Sequence, residues 1–127
     1  FPWHFGGQRY QNLFVMIDEI VEWCQKLNLR MCFDVSHTSL TCNYYGLNFF
    51  DFVEKIAPFS AHLHLGDSKG VNGEGLQIGE GDIDFNCLGK ILDAGCPEAS
   101  FIPEIWQGHK NGGEGFWIAL EKLQGIL

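Results

Sequence analysis

Three short apolar runs of the chain each end in a residue able to bind a metal ion. Asp34 follows Met31-Cys32-Phe33, His64 follows Ala61-His62-Leu63, and Glu104 follows Phe101-Ile102-Pro103. A carboxylate or imidazole closing an apolar segment is expensive to bury unless it is paired or bound to a cation. Taken singly, each of the three could instead cap a helix or pair with a Lys or Arg. Their shared position points further, because ligands and catalytic groups gather at the carboxyl ends of strands in parallel α/β sheets. An Asp, a His and a Glu form a mixed oxygen and nitrogen donor set suited to Mn²⁺, Zn²⁺, Co²⁺ or Mg²⁺. Asp34, His64 and Glu104 are therefore the candidate ligands of a divalent metal site.

The elements that must position them alternate helix and strand. Between Gln11 and Leu27 the apolar residues Leu13, Phe14, Ile17, Ile20, Val21, Cys24 and Leu27 fall at the spacing of a one-faced helix. Arg30 to Asp34 reads as a strand buried on both faces. Asn48 to Ile56 reads as a second helix halted by Pro58, and Ser60 to Leu65 as a second strand. The Gly-rich stretch from Gly66 to Gly81 reads as a loop. Asp84 is expected to cap a third helix, Phe85 to Ala94, ended by Gly95. Ala99 to Glu104 is the third strand, with Pro103 tolerable only near its end. A second Gly-rich loop, Gln107 to Gly113, leads into a last helix from about Glu114 through Leu123. Strands spaced about 30 residues apart with a helix between them mark repeated βα units and a parallel sheet.

Composition narrows the function classes. The chain has 127 residues, 46% of them hydrophobic, with eleven Phe and four Trp, enough for a packed core. Eight Lys and Arg stand against sixteen Asp and Glu, a net charge of −8. That balance disfavours nucleic acid, whose affinity comes largely from neutralised phosphates. Five cysteines, widely spaced and without a C-x-x-C, read as buried free thiols rather than a disulfide scaffold or zinc ribbon. No apolar run suits a membrane span and no signal peptide is visible, so the expected location is cytoplasmic.

Asp34-Val-Ser-His37, His64-Leu-Gly-Asp-Ser-Lys69, Gly79-Glu-Gly-Asp-Ile-Asp84 and Pro103-Glu104 together resemble the last three strands and loops of the xylose-isomerase-like barrels. That group holds sugar and sugar-phosphate isomerases and epimerases and the family 2 AP endonucleases. The resemblance implies the C-terminal half of a (β/α)₈ barrel, with one leading helix and three parallel strands each followed by a helix. It implies that Asp34, His64 and Glu104 are three of four ligands to a shared metal. The fourth, a Glu ending the preceding strand, is expected upstream of Phe1, because Phe1-Pro-Trp-His-Phe-Gly-Gly looks like the loop after that strand.

In the isomerase and epimerase branch, two carboxylates flank the reacting carbon and the metal stabilises the enediolate. Glu104 fits one of these catalytic roles. His37 is expected to touch substrate oxygens, Lys69 to supply positive charge, and the Gly79-Glu-Gly81 turn to offer N–H groups to an anion. The nuclease branch adds an Asp-x-His where this chain reads Asn72-Gly-Glu-Gly-Leu-Gln77, so phosphodiester cleavage ranks below sugar chemistry. A metal-dependent hydrolase or endonuclease and a catalytically inactive half-barrel are the competing readings, the latter pairing with a second copy through open sheet edges or helix faces.

Four further expectations complete the reading. His62 is read as pointing to the face opposite His64, toward the helices, as a structural histidine. His4 and His109 are read as exposed loop histidines. Trp3 and Trp106 either wall the pocket or pack in the core. Asp67 is read as orienting Lys69 or the loop rather than binding metal.

Overall fold

The computed structural model describes residues 13–127, so the expectations for Trp3, His4 and the opening Phe1 to Gly7 lie outside the described residues. The element order is α1 (Ile17–Leu27), β1 (Met31–Asp34), α2 (Val35–Tyr45), α3 (Phe49–Ile56), β2 (Ser60–Leu65), β3 (Asp67–Lys69), β4 (Gly73–Leu76), α4 (Phe85–Gly95), β5 (Ser100–Pro103) and α5 (Lys110–Leu123). A 3₁₀ turn over Ala57–Phe59 joins α3 to β2 and contains Pro58. Strands β1, β2 and β5 form a parallel sheet in that order. This is an α/β arrangement of the partial TIM-barrel kind, and three strands do not close a barrel.

One face of the sheet carries the core. Phe33, Leu63 and Leu65 are buried there against Ile20 and Cys24 of α1, Val53 and Ile56 of α3, and Leu88 and Leu92 of α4. The other face is open: Cys32 and Ile102 are exposed, and His62 and His64 are half-buried. The expectation that β1 is buried on both faces is therefore corrected. Among the described residues, helices cover only one side of this sheet, so more and less buried positions alternate along β1 and β2.

Helix α1 starts at Ile17, later than the apolar spacing suggests, because Phe14 has a left-handed φ of 55° and cannot belong to it. Helix α2 was not expected, since Val35 to Tyr45 has no single apolar stripe. Its formation has a different cause. Asp34 caps its first turn, accepting from His37 N at 2.9 Å, and its buried hydroxyls are satisfied by neighbours. Ser39 Oγ accepts from Ser68 Oγ at 2.7 Å, and Ser36 Oγ accepts from Gly75 N at 3.0 Å.

The stretch from Gly66 to Gly81 is also more than a loop. It contains the antiparallel hairpin β3–β4, which packs on the polar side of α2. Helix α4 begins as expected, with Asp84 accepting from Asn86 N and Cys87 N. Gly95 is its last residue and not a left-handed cap; a Cβ there would meet the Ala57 side chain at 2.6 Å. Asn111, Gly112 and Gly113 have positive φ, so the regular part of α5 starts at Glu114 as expected. Pro103 is the last residue of β5, the end position at which its missing N–H is tolerable.

Candidate metal centre and its cleft

The parallel register places Asp34 beside His64, and His64 beside Ile102, so Glu104 lies one step past the end of β5. Glu104 N donates to Leu65 O at 2.9 Å, which continues the ladder by one bond and fixes the residue against β2. Gly66 is required here, because a Cβ would meet the Glu104 carbonyl oxygen at 2.5 Å. Ligand atoms of Asp34, His64 and Glu104 converge to within 4.8 Å of one another. His64 Nδ1 is 2.7 Å from Glu104 Oε2 and 3.9 Å from Asp34 Oδ2. Two carboxylates and one imidazole at this separation fit a divalent cation of the Mn²⁺, Zn²⁺, Co²⁺ or Mg²⁺ type by donor chemistry.

A cleft of about 610 Å³ opens beside this trio. Asp34, His37, Glu74, Glu104, Trp106 and Lys110 contribute to its wall. His37 Nδ1 lies 2.7 Å from Asp34 Oδ2, and its Nε2 lies 3.0 Å from Glu74 Oε2. Both ring nitrogens thus already face carboxylates. Burial pushes the Asp34 carboxyl upward, but the side-chain and backbone hydrogen bonds from His37, with the charges of His37 and His64, hold it below its ordinary value. The Asp34 hydrogen bond raises His37 above its ordinary value; burial opposes this and the Asp34 and Glu74 carboxylates add to it. The Cys32 thiol is raised by burial first and then by the negative charges of Asp34 and Glu104.

Glu74, at the tip side of the hairpin, was missed from the sequence. Its signal was a lone acid flanked by Gly73 and Gly75, which lets the backbone turn and carry the side chain over α2. Gly75 ties the hairpin down on both sides, since its O accepts from Trp106 N at 2.7 Å and its N donates to Ser36 Oγ. Lys110 is a second missed residue; it lines the cleft with Nζ donating to Gln107 Oε1 at 2.8 Å.

Several sequence expectations are corrected here. Lys69 is exposed on β3 and is not part of the cleft wall. The N–H groups of Gly79 and Gly81 do receive an anion, but it is the protein's own. Asp67 Oδ2 accepts from Gly79 N at 3.0 Å and Gly81 N at 2.8 Å, while Oδ1 accepts from Ser68 N and Ile83 N. Asp67 therefore orients the loop and not Lys69. Gly81 must be glycine, because a Cβ would strike Ser68 O and the Asp67 carboxylate.

His62 does not point away from His64. Residues two apart on a strand share a face, and the two rings meet edge to face with centroids 5.4 Å apart. Its structural role is nonetheless visible in the 2.8 Å contact of Nδ1 with Ser100 Oγ. His109 is exposed and lines the cleft, and Trp106 is 71% exposed there, a wall residue and not a core one. Of the cysteines, Cys24, Cys42 and Cys96 are buried free thiols as expected, whereas Cys32 is exposed and Cys87 intermediate. Burial pushes the Cys42 thiol up to about 11. Among the described residues, no helix is long and apolar enough to cross a membrane.

Comparison with known proteins agrees with this architecture. Residues 2–123 match the family described as xylose isomerase-like TIM barrel. An uncharacterised protein of Methanocaldococcus jannaschii is 35% identical over 81 residues, which cover 61% of this chain and 26% of that protein. The match thus spans about a quarter of that relative's length.

Proposed function

The chain belongs to the xylose isomerase-like TIM barrel family, and from that premise we propose that the protein containing it is a metal-dependent isomerase or epimerase of a sugar or sugar phosphate. The observation that carries this reading is the convergence of Asp34, His64 and Glu104 at the carboxyl ends of three adjacent parallel strands, beside a cleft roomy enough to admit a sugar or sugar phosphate. A divalent cation held by these three would supply Lewis-acid charge to the oxygens of a bound sugar.

The chain's own residues divide the remaining work. Glu104 uses Oε2 toward His64, and its other oxygen is the acceptor for the proton on the carbon next to the substrate carbonyl. Returning that proton to the neighbouring carbon gives isomerisation, and returning it to the same carbon's other face requires a second acid across the ring. His37 steadies Asp34 through one nitrogen and Glu74 through the other, so a substrate hydroxyl enters this part of the cleft by displacing Glu74 or donating to it. Trp106 offers its exposed ring to the apolar face of the sugar. Lys110, and not Lys69, supplies the positive charge for a phosphate or carboxylate. Phosphodiester cleavage is the weaker reading, because Asp34, Glu74 and Glu104 line the cleft and the chain carries a net charge of −8.

The test uses the full-length protein loaded with Mn²⁺, a panel of ketoses and ketose phosphates, and NMR detection of deuterium uptake from D₂O. Wild type is expected to exchange a carbon-bound proton of at least one sugar, and Glu104→Gln to slow that exchange by about 10²-fold or more. His64→Ala is expected to weaken divalent binding at least about tenfold. No exchange across the panel with metal bound would end the sugar reading.

A further inference from the structure

A second row of side chains lies on the open face of the sheet, one layer below Asp34, His64 and Glu104. The register sets Cys32 beside His62, and His62 beside Ser100. Cys32 and His62 are each two residues upstream of Asp34 and His64, and Ser100 is four upstream of Glu104, so all three lie on the face of the upper row. Cys32 Sγ and a ring nitrogen from each of His62 and His64 lie within 4.8 Å of one another. The His62 and His64 rings are already set edge to face. Ser100 Oγ holds His62 at Nδ1, 2.8 Å away. With Nδ1 donating to that hydroxyl, the lone pair sits on Nε2, an arrangement that fixes the tautomer and orientation of a ligating imidazole.

We infer that Cys32, His62 and His64 form a second cation seat, selective for strongly thiophilic ions such as Cd²⁺ and competing with the oxygen-rich trio for His64. One thiolate and two imidazoles favour soft and borderline ions, whereas Asp34 and Glu104 favour hard ones. Three protein ligands leave a fourth position open on a tetrahedral ion. As the sulfur–metal bond forms, the Cys32 thiol releases its proton to solvent, so no redox partner is involved. Because His64 belongs to both groups, an ion in the lower seat withdraws that ring from the upper one. The consequence is a protein whose hard-metal site is inhibited, and not activated, by a thiophilic metal.

The inference does not depend on the sugar reading, and its test separates the two. The metal-free full-length protein is titrated with Cd²⁺ while thiolate-to-cadmium charge-transfer absorption is followed in the ultraviolet, and Mn²⁺ binding is read separately by electron paramagnetic resonance. Wild type is expected to show the band at one equivalent. Cys32→Ser is expected to abolish it, and His62→Gln to weaken Cd²⁺ binding at least about tenfold; His62→Gln decides the matter if Cys32→Ser does not fold. Cys87→Ser, which removes the other incompletely buried thiol, should leave the band intact. Cd²⁺ should weaken Mn²⁺ binding in wild type and not in Cys32→Ser. A band of unchanged affinity in Cys32→Ser, or Mn²⁺ binding indifferent to Cd²⁺, overturns the proposal. Mn²⁺ binding that survives Glu104→Gln counts instead against the upper site, and leaves the Cd²⁺ result standing.

Discussion

Four backbone amides converge on the Asp67 carboxylate, which is 0% exposed. A buried charge is tolerated when every lone pair is engaged, and each such charge-assisted bond is strong. Asp67→Ala would leave those amides without an acceptor, and a loss of about 3–5 kcal/mol of stability is expected. Asp67→Asn is expected to be nearly as damaging, because its amide group would turn a donor toward N–H donors. Urea denaturation of both variants checks this; wild-type stability in either would refute the assignment. His37 makes the stability of the metal-free protein depend on pH. Its folded value is raised above 6.5, so its contribution is complete below 6.5 and is lost as pH rises through the raised value. Asp34 works at the other end: held below 3.8, it contributes above that value and is lost as pH falls through the lowered one. Denaturation in chelator is expected to show stability declining on the alkaline side of 6.5, with His37→Gln removing that limb. Persistence of the limb in His37→Gln would show that another group titrates there.

At the scale of elements, legibility followed the source of each element's stability. Strands β1, β2 and β5 and helices α3 and α4 announce themselves by apolar runs, caps and spacing, because burial of one face and local capping drive their formation. Helix α2 and the hairpin β3–β4 are held together by each other. The buried hydroxyls of Ser36 and Ser39 on α2 bond to Gly75 and Ser68 of the hairpin, and Asn43 bonds to Gly70 O. These polar contacts leave no periodic apolar trace, and the buried Val35, Leu40 and Cys42 of α2 do not form a single stripe, so the hairpin read as a loop and α2 was not assigned. The convergence of Asp34, His64 and Glu104 was legible because each stands at or next to the carboxyl end of a strand. Glu74 and Lys110 were not, because their arrival at the cleft depends on the hairpin and on the left-handed turn at Asn111 to Gly113. His62 failed for a simpler reason: strand periodicity places it with His64, and the pairing with Cys32 appears only once the register of β1 and β2 is known.

For the whole molecule, the decisive property is a sheet covered on one side. Phe101 and Ile102 of β5, Trp117 of α5 and Leu127 are exposed apolar groups at the β5 side, and among the described residues β1 and β5 each have an unpaired edge. The chain by itself is therefore expected to pair with a second copy at high concentration, through these edges or the adjoining helix face. Light scattering that shows a clean monomer there would count against it. The tie that joins Gly75 to both Ser36 and Trp106 has a thermodynamic corollary for ligand binding. The rim of the cleft is folded before anything enters, so a ligand need not order about sixteen residues of Gly-rich chain on arrival. Its binding should carry little of the unfavourable entropy and heat-capacity change that accompanies loop folding, and selectivity would then rest on the fixed placement of Glu74, Trp106 and Lys110.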